Sequence, residues 1–148
     1  MTTSHDISTL NSLIETTLDS MNGFSDAAED SNGAHTQFFR EMASERSACA
    51  SALQARVTAL GGDAEAHSSY TAAAHRGFMN LKQAVTGSDE RAIIEEVERG
   101  EDYIKGKYEA ALQDGELSPE TRQAIEQAYQ SVRKGHDRAS AIKHQMAD

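Results

Sequence analysis

Residues 63–89, DAEAHSSYTAAAHRGFMNLKQAVTGSD, decide the fold. The stretch is too long for a hairpin loop, yet Tyr70, Ala74, Phe78, Leu81 and Val85 recur at helical spacing. It reads as a short amphipathic helix over about 68–85, closed by Thr86-Gly87-Ser88 and set inside a long connection. On either side lie two longer helical patterns joined by a short turn. A short connection makes its two helices antiparallel neighbours. The whole is two helical hairpins linked by one long crossover.

Before the crossover, Ile7, Leu10, Ile14, Thr17, Met21, Phe24 and Ala28 alternate steps of three and four, predicting a first helix over about 6–30. Asp30-Ser31-Asn32-Gly33 supplies turn chemistry. Phe38, Phe39, Met42, Cys49, Leu53, Val57 and Leu60 mark a second helix over 34–61, stopped at Gly61-Gly62. Beyond the crossover, Ile93, Ile94, Val97, Ile104, Tyr108, Ala111 and Leu112 define a helix over 89–113, ended by Asp114-Gly115. Ser118-Pro119-Glu120 then opens the last, over 119–146, with Ser at the cap and Pro in the first turn. Its stripe is Ile125, Tyr129, Val132, Ala139, Ile142 and Met146. The expected fold is all-α, an antiparallel four-helix bundle with a short extra helix between helices two and three, in a single domain over 1–148. A simple up-and-down bundle would not need so long a connection, so helices two and three are expected to run parallel. That is the ferritin-like arrangement.

Composition fits this reading. The chain holds one proline and no tryptophan among 148 residues, with 38% apolar residues. Its 24 acidic and 14 basic residues give a formal net charge of −10. Phosphate binding needs a positive surface, so nucleic acid is an unsuitable partner, as is an anionic membrane. No apolar run approaches the roughly 20 residues of a membrane helix. Met1 to Asp6 is polar and lacks the apolar segment of a secretory signal. The single cysteine, Cys49, suits core packing in a reducing compartment, so a cytoplasmic location is expected.

One level of the bundle breaks the apolar pattern. Glu101 stands between Val97 and Ile104, His136 between Val132 and Ala139, and Glu45 between Met42 and Cys49, at the seam or its edge; Thr17 is the mid-height residue of the first helix. Buried ionisable groups must be paired or coordinate a metal. Gly100 and Gly135 lie beside this layer, either for close helix approach or to make room for polar groups. Glu45, Glu101 and His136 are therefore candidate ligands for a single zinc or iron ion. The reading placed ahead of the metal site is a hydrogen-bonded network, with Glu101 meeting His136, and Glu45 or Glu101 meeting Arg46 or Arg133; the third is exposure of these groups through a misplaced stripe. Arg46 competes with Glu45 for the same groove. A di-iron carboxylate site would need Glu-x-x-His on two helices. Ala48 stands where the first histidine belongs and Arg133 where the second glutamate belongs, so iron oxidation lacks its ligands.

Other candidates carry less. His75, beside Arg76-Gly77-Phe78, could line one face of the bundle, while His5, His35, His67 and His144 fall near helix ends. Glu95, Glu96, Glu98 and Asp102 read as a solvated acidic face. No Ser-His-Asp order, glycine-rich phosphate loop or Cys-x-x-Cys pair occurs, so no catalytic constellation is specified.

Several segments resemble a bacterial ferritin-like four-helix-bundle family of unknown function, domain of unknown function 2383. These are Leu10-Asn11-Ser12-Leu13-Ile14-Glu15, His75-Arg76-Gly77-Phe78-Met79, Glu98-Arg99-Gly100-Glu101-Asp102 and His136-Asp137-Arg138. The resemblance runs from about Ile7 to Met146 and implies a ferritin-like bundle akin to stress-associated bacterial proteins. It implies no reaction. The expected function is non-catalytic, through a homodimer, another homo-oligomer or a protein partner. A mononuclear metal-binding protein is the alternative, and a di-iron oxidase ranks third.

Overall fold

The computed structural model describes residues 2–30, 35–66 and 90–146. Four α-helices account for most of them: α1 (Thr3–Asp30), α2 (Thr36–Ala59), α3 (Glu90–Leu112) and α4 (Pro119–Met146). The expected short helix over 68–85, with His67 and His75, lies outside the described residues.

Capping chemistry explains the ends. Helix α1 starts earlier than its apolar stripe because the Thr2 hydroxyl accepts the His5 backbone N–H at 3.1 Å, an N-cap that the stripe alone does not reveal. Ser118 caps α4 in the same way, accepting the Thr121 N–H at 3.4 Å, with Pro119 as the first helical residue. Helix α2 closes in a Schellman turn. Gly61 adopts φ +84°, the Gly61 N–H donates to Thr58 O at 2.9 Å, and the Gly62 N–H donates to Val57 O at 3.0 Å. Gly62 also presses on α1, since a Cβ there would lie 2.7 Å from Ile7 Cδ1. Past the turn, the Asn11 side-chain amide donates to Asp63 O and accepts from the Glu65 N–H, at 3.1 and 2.8 Å. Asn11 thereby ties the start of the long connection to α1.

Side-chain contacts fix the helix directions. At one end meet the beginnings of α1 and α4 and the finishes of α2 and α3, through Asp6 with Ser118, His5 with Asp114, and Ile7 with Gly62. At the other end Phe24 of α1 stacks edge-on against Phe38 of α2, in one apolar cluster with Ile93 and Ile94 of α3 and Ala139 of α4. Thus α1 and α4 run one way, and α2 and α3 run the other. Helix α1 packs beside α2 and α3, and α4 beside α3 and α2. Helices α2 and α3 are parallel and face each other across a diagonal, with no backbone approach within 8 Å among the described residues.

Among the described residues the apolar core forms two bodies rather than one. One contains Leu10, Ile14, Leu53, Val57, Ile104, Tyr108, Ile125 and Val132; the other contains Phe24, Phe39, Met42, Ile93, Ile94 and Ala139. Full burial of each such leucine or isoleucine contributes roughly 1.5–3 kcal/mol. Cys49 is buried in the first, as its expected packing role requires.

Two glycines on the outer face of α3 support nothing visible. A Cβ at Gly100 or Gly106 meets no atom within 4 Å among the described residues. Alanine is the better helix former, so Gly100→Ala and Gly106→Ala should each raise stability by about 0.5–1 kcal/mol, read as a higher urea midpoint with an unchanged slope.

Candidate functional site

Between the two apolar bodies lies a polar layer to which all four helices contribute. Arg46 of α2 and Glu101 of α3 are fully buried, at 0% and 1% exposure. They reach across the diagonal and join in a bidentate pair, with Nη1 donating to Oε1 at 2.7 Å and Nη2 to Oε2 at 2.6 Å. Nη1 also donates to Ser20 Oγ of α1 at 2.8 Å, and the guanidinium lies 5.4 Å from the centre of the Phe24 ring. The Arg46 Nε–H finds no acceptor among the described residues. Helix α4 contributes a space: a Cβ on Gly135 would fall 2.4 Å from Met42 Cε, 2.6 Å from Arg46 Nη2 and 3.0 Å from Glu101 Oε2. Gly135 is therefore the residue that lets the pair occupy the centre.

Burial pushes the Glu101 carboxyl above its ordinary value; the hydrogen bonds and charge of Arg46 pull against that rise without cancelling it. One turn before Ser20 on α1, the Thr17 hydroxyl donates to Leu13 O at 2.6 Å. It must therefore accept the Tyr108 hydroxyl, 2.7 Å away. Burial pushes the Tyr108 hydroxyl well above its usual range, so it stays a neutral donor.

The structure distributes the three expected ligands differently from the sequence reading. Glu101 faces the centre, but its partner is Arg46. Glu45 is half-buried and accepts a long hydrogen bond, 3.5 Å, from Ser131 Oγ. The His136 ring meets Asp102 Oδ1 at 2.6 Å and Asp137 Oδ1 at 3.4 Å, at the edge of the bundle. Glu45, Glu101 and His136 thus have separate partners and do not converge. The reason is a one-residue shift of the seam on two helices. On α2 the core row runs Met42, Arg46, Cys49, Ala50; on α4 it runs Val132, Gly135, Ala139. Of the pairings expected for a core network, Glu101 with Arg46 forms, whereas His136 pairs with Asp102 rather than with Glu101. Of the two glycines singled out, only Gly135 adjoins the layer.

A di-iron group does not fit this centre. Two cations would require several carboxylates and imidazoles aimed inward. The layer instead holds one carboxylate already neutralised by a guanidinium. Ala48 is exposed, and so is Arg133.

The end of the bundle where α1 and α4 begin carries a second polar cluster. Asp6 is 2% exposed and accepts hydrogen bonds from Ser118 Oγ at 2.6 Å, Thr121 Oγ1 at 2.9 Å and the Ser118 N–H at 3.3 Å. Burial pushes this carboxyl up, but the bonds from Ser118 and Thr121 outweigh it and hold it below the usual range. Next to it His5 Nε2 lies 2.6 Å from Asp114 Oδ2. Hydrogen bonding to Asp114 raises the His5 pKa above its ordinary value. The Glu116 backbone N–H, followed by His5, lowers that of Asp114. Among the described residues, His5, Asp114 and Glu116 are the one group of three His, Cys, Asp or Glu side chains whose ligand atoms all lie within 4.8 Å of one another. Sequence reading missed it because His5 and Asp114 stand 109 positions apart and each looks like an ordinary helix-end residue.

A family model described as Domain of unknown function (DUF2383) matches residues 5–114, which span α1, α2, the long connection and α3. No curated protein matches the chain.

Proposed function

We propose, for a chain that belongs to the domain-of-unknown-function family DUF2383, a non-catalytic role as a ferritin-like bundle protein that acts through self-association. One observation carries this reading: the Arg46–Glu101 pair fills the bundle centre, where a ferritin-like enzyme would hold its metals. A bundle whose interior is closed by a neutralised pair has its outer surface left as the working part. Ferritin-like kinship is supported by the shared direction of α2 and α3, which a chain with one long crossover produces. The earlier resemblance adds a stress-associated role in a bacterium, and the single cysteine, Cys49, supports a cytoplasmic location. No described helix is long and apolar enough to cross a membrane, and a net charge of −10 disfavours nucleic acid.

Sedimentation velocity on the full chain, from micromolar to hundreds of micromolar, tests this reading. The expected result is a concentration-dependent dimer or larger homo-oligomer. A strictly monomeric species over the whole range overturns it.

A further inference from the structure

We infer that His5, Asp114 and Glu116 form a site for one borderline divalent transition-metal ion, of the zinc or cobalt class, at the end of the bundle. The site is separate from the polar layer and does not depend on the function proposed above.

The donor set has the right chemistry. One imidazole and two carboxylates, with their ligand atoms mutually within 4.8 Å, supply three protein ligands and leave a position for water. A first-row ion prefers such a mixed set, whereas magnesium prefers oxygen alone. His5 and Asp114 are half-buried and Glu116 is exposed, so the ion has a route in from solvent.

The scaffold holds the ligands from two directions. His5 sits in the first turn of α1, anchored by the Thr2 cap, while Asp114 and Glu116 belong to the α3–α4 turn. Asp114 Oδ1 accepts the Glu116 N–H at 2.9 Å, which orients the carboxylate and leaves Oδ2 facing His5 Nε2 at 2.6 Å. Those two atoms share a proton. Ligands around a tetrahedral zinc ion stand about 3.4 Å apart, given bonds of about 2.1 Å. The ion therefore replaces that proton after the side-chain ends separate by under about 1 Å.

Charge around the site is mixed. Asp6 adds negative potential beside His5, while Arg122 is the nearby opposing cation. Its guanidinium is held by the Leu112 and Asp114 carbonyl oxygens, where it caps the end of α3. Bound metal would tie the first turn of α1 to a turn 109 residues later. Because the unfolded chain lacks this arrangement, binding stabilises the folded state by mass action.

Isothermal titration of Zn²⁺ into the tag-free full chain, repeated with Mg²⁺, tests the site. One saturable Zn²⁺ per chain is expected, with a melting temperature that climbs with Zn²⁺ concentration and no response to Mg²⁺. His5→Ala and Glu116→Gln should each weaken binding at least tenfold, while His136→Ala should leave it unchanged. Both substituted residues lie at the surface end, and far-ultraviolet circular dichroism should show native helix content in each variant. Cobalt(II) loading should give visible absorption that His5→Ala removes. No saturable Zn²⁺ binding, binding that survives His5→Ala, or binding that disappears with His136→Ala overturns the assignment.

Discussion

Glu101→Ala should destabilise the protein by about 3–5 kcal/mol, because it strands the Arg46 guanidinium in the core without its counter-charge. Arg46 is fully buried, and its remaining contacts are one bond to Ser20 and the face of Phe24. Neither neutralises a charge. Natural domains have only about 5–15 kcal/mol of stability to lose, so the variant should show a much lower urea midpoint at equilibrium. Removing the charges together should behave in the opposite way. Arg46→Met with Glu101→Leu replaces two desolvated ions by apolar groups of similar size and should be neutral or stabilising by about 1–4 kcal/mol. The Arg46 Nε–H, without an acceptor among the described residues, favours that outcome, since such a buried donor already costs about 1–3 kcal/mol. A Glu101→Ala loss below about 1 kcal/mol would mean that water reaches the pair, contrary to its burial.

Gly135→Ala should be damaging although alanine is the better helix former. The gain in helix propensity is about 1 kcal/mol. Against it, the new methyl would sit 2.4 Å from Met42 Cε, 2.6 Å from Arg46 Nη2 and 3.0 Å from Glu101 Oε2. The Met42 terminus can swing away, whereas Arg46 and Glu101 are locked to each other. Relieving the overlap means opening the pair, and a net loss of about 2–3 kcal/mol is expected. The same substitution placed in the Arg46→Met, Glu101→Leu background should cost less, and the shortfall measures the coupling between the glycine and the pair. Thermal or urea unfolding of the variants reads both quantities. Equal costs in the two backgrounds would show that Gly135 serves α4 itself rather than the layer. Gly100 and Gly106 supply the contrast, since alanine there should stabilise.

The extent to which this organisation was readable from the residues differs by helix. On α1 and α3 the apolar steps predicted both the helices and their buried faces, including Thr17 and Glu101. On α2 and α4 the seam admits steps of four then three or of three then four. The choice puts Arg46 or Glu45, and Gly135 or His136, in the core. Periodicity cannot separate adjacent residues, and burial rules discriminate poorly between one ion and another. The interior glycine of α4 was the available signal, because a glycine far from any turn marks close packing. Gly100, one residue before Glu101, gives the same signal with no atom of the described residues within 4 Å of its face, which is why composition alone misleads. The end cluster was hidden for another reason: His5, Asp6, Asp114 and Ser118 meet only after both hairpins have assembled.

The dependence of Gly135 on the pair beside it also bears on how such a core changes over generations. Converting this centre to a metal-holding one requires Arg46 to leave, new ligands to enter and the space at Gly135 to be refilled. Taken singly, replacing Glu101 or Gly135 should pass through a weakened chain, while changes made in concert should not. Arg46, Glu101 and Gly135 are therefore expected to exchange together although they lie on three helices, and the order of exchange is expected to guard the closed interior.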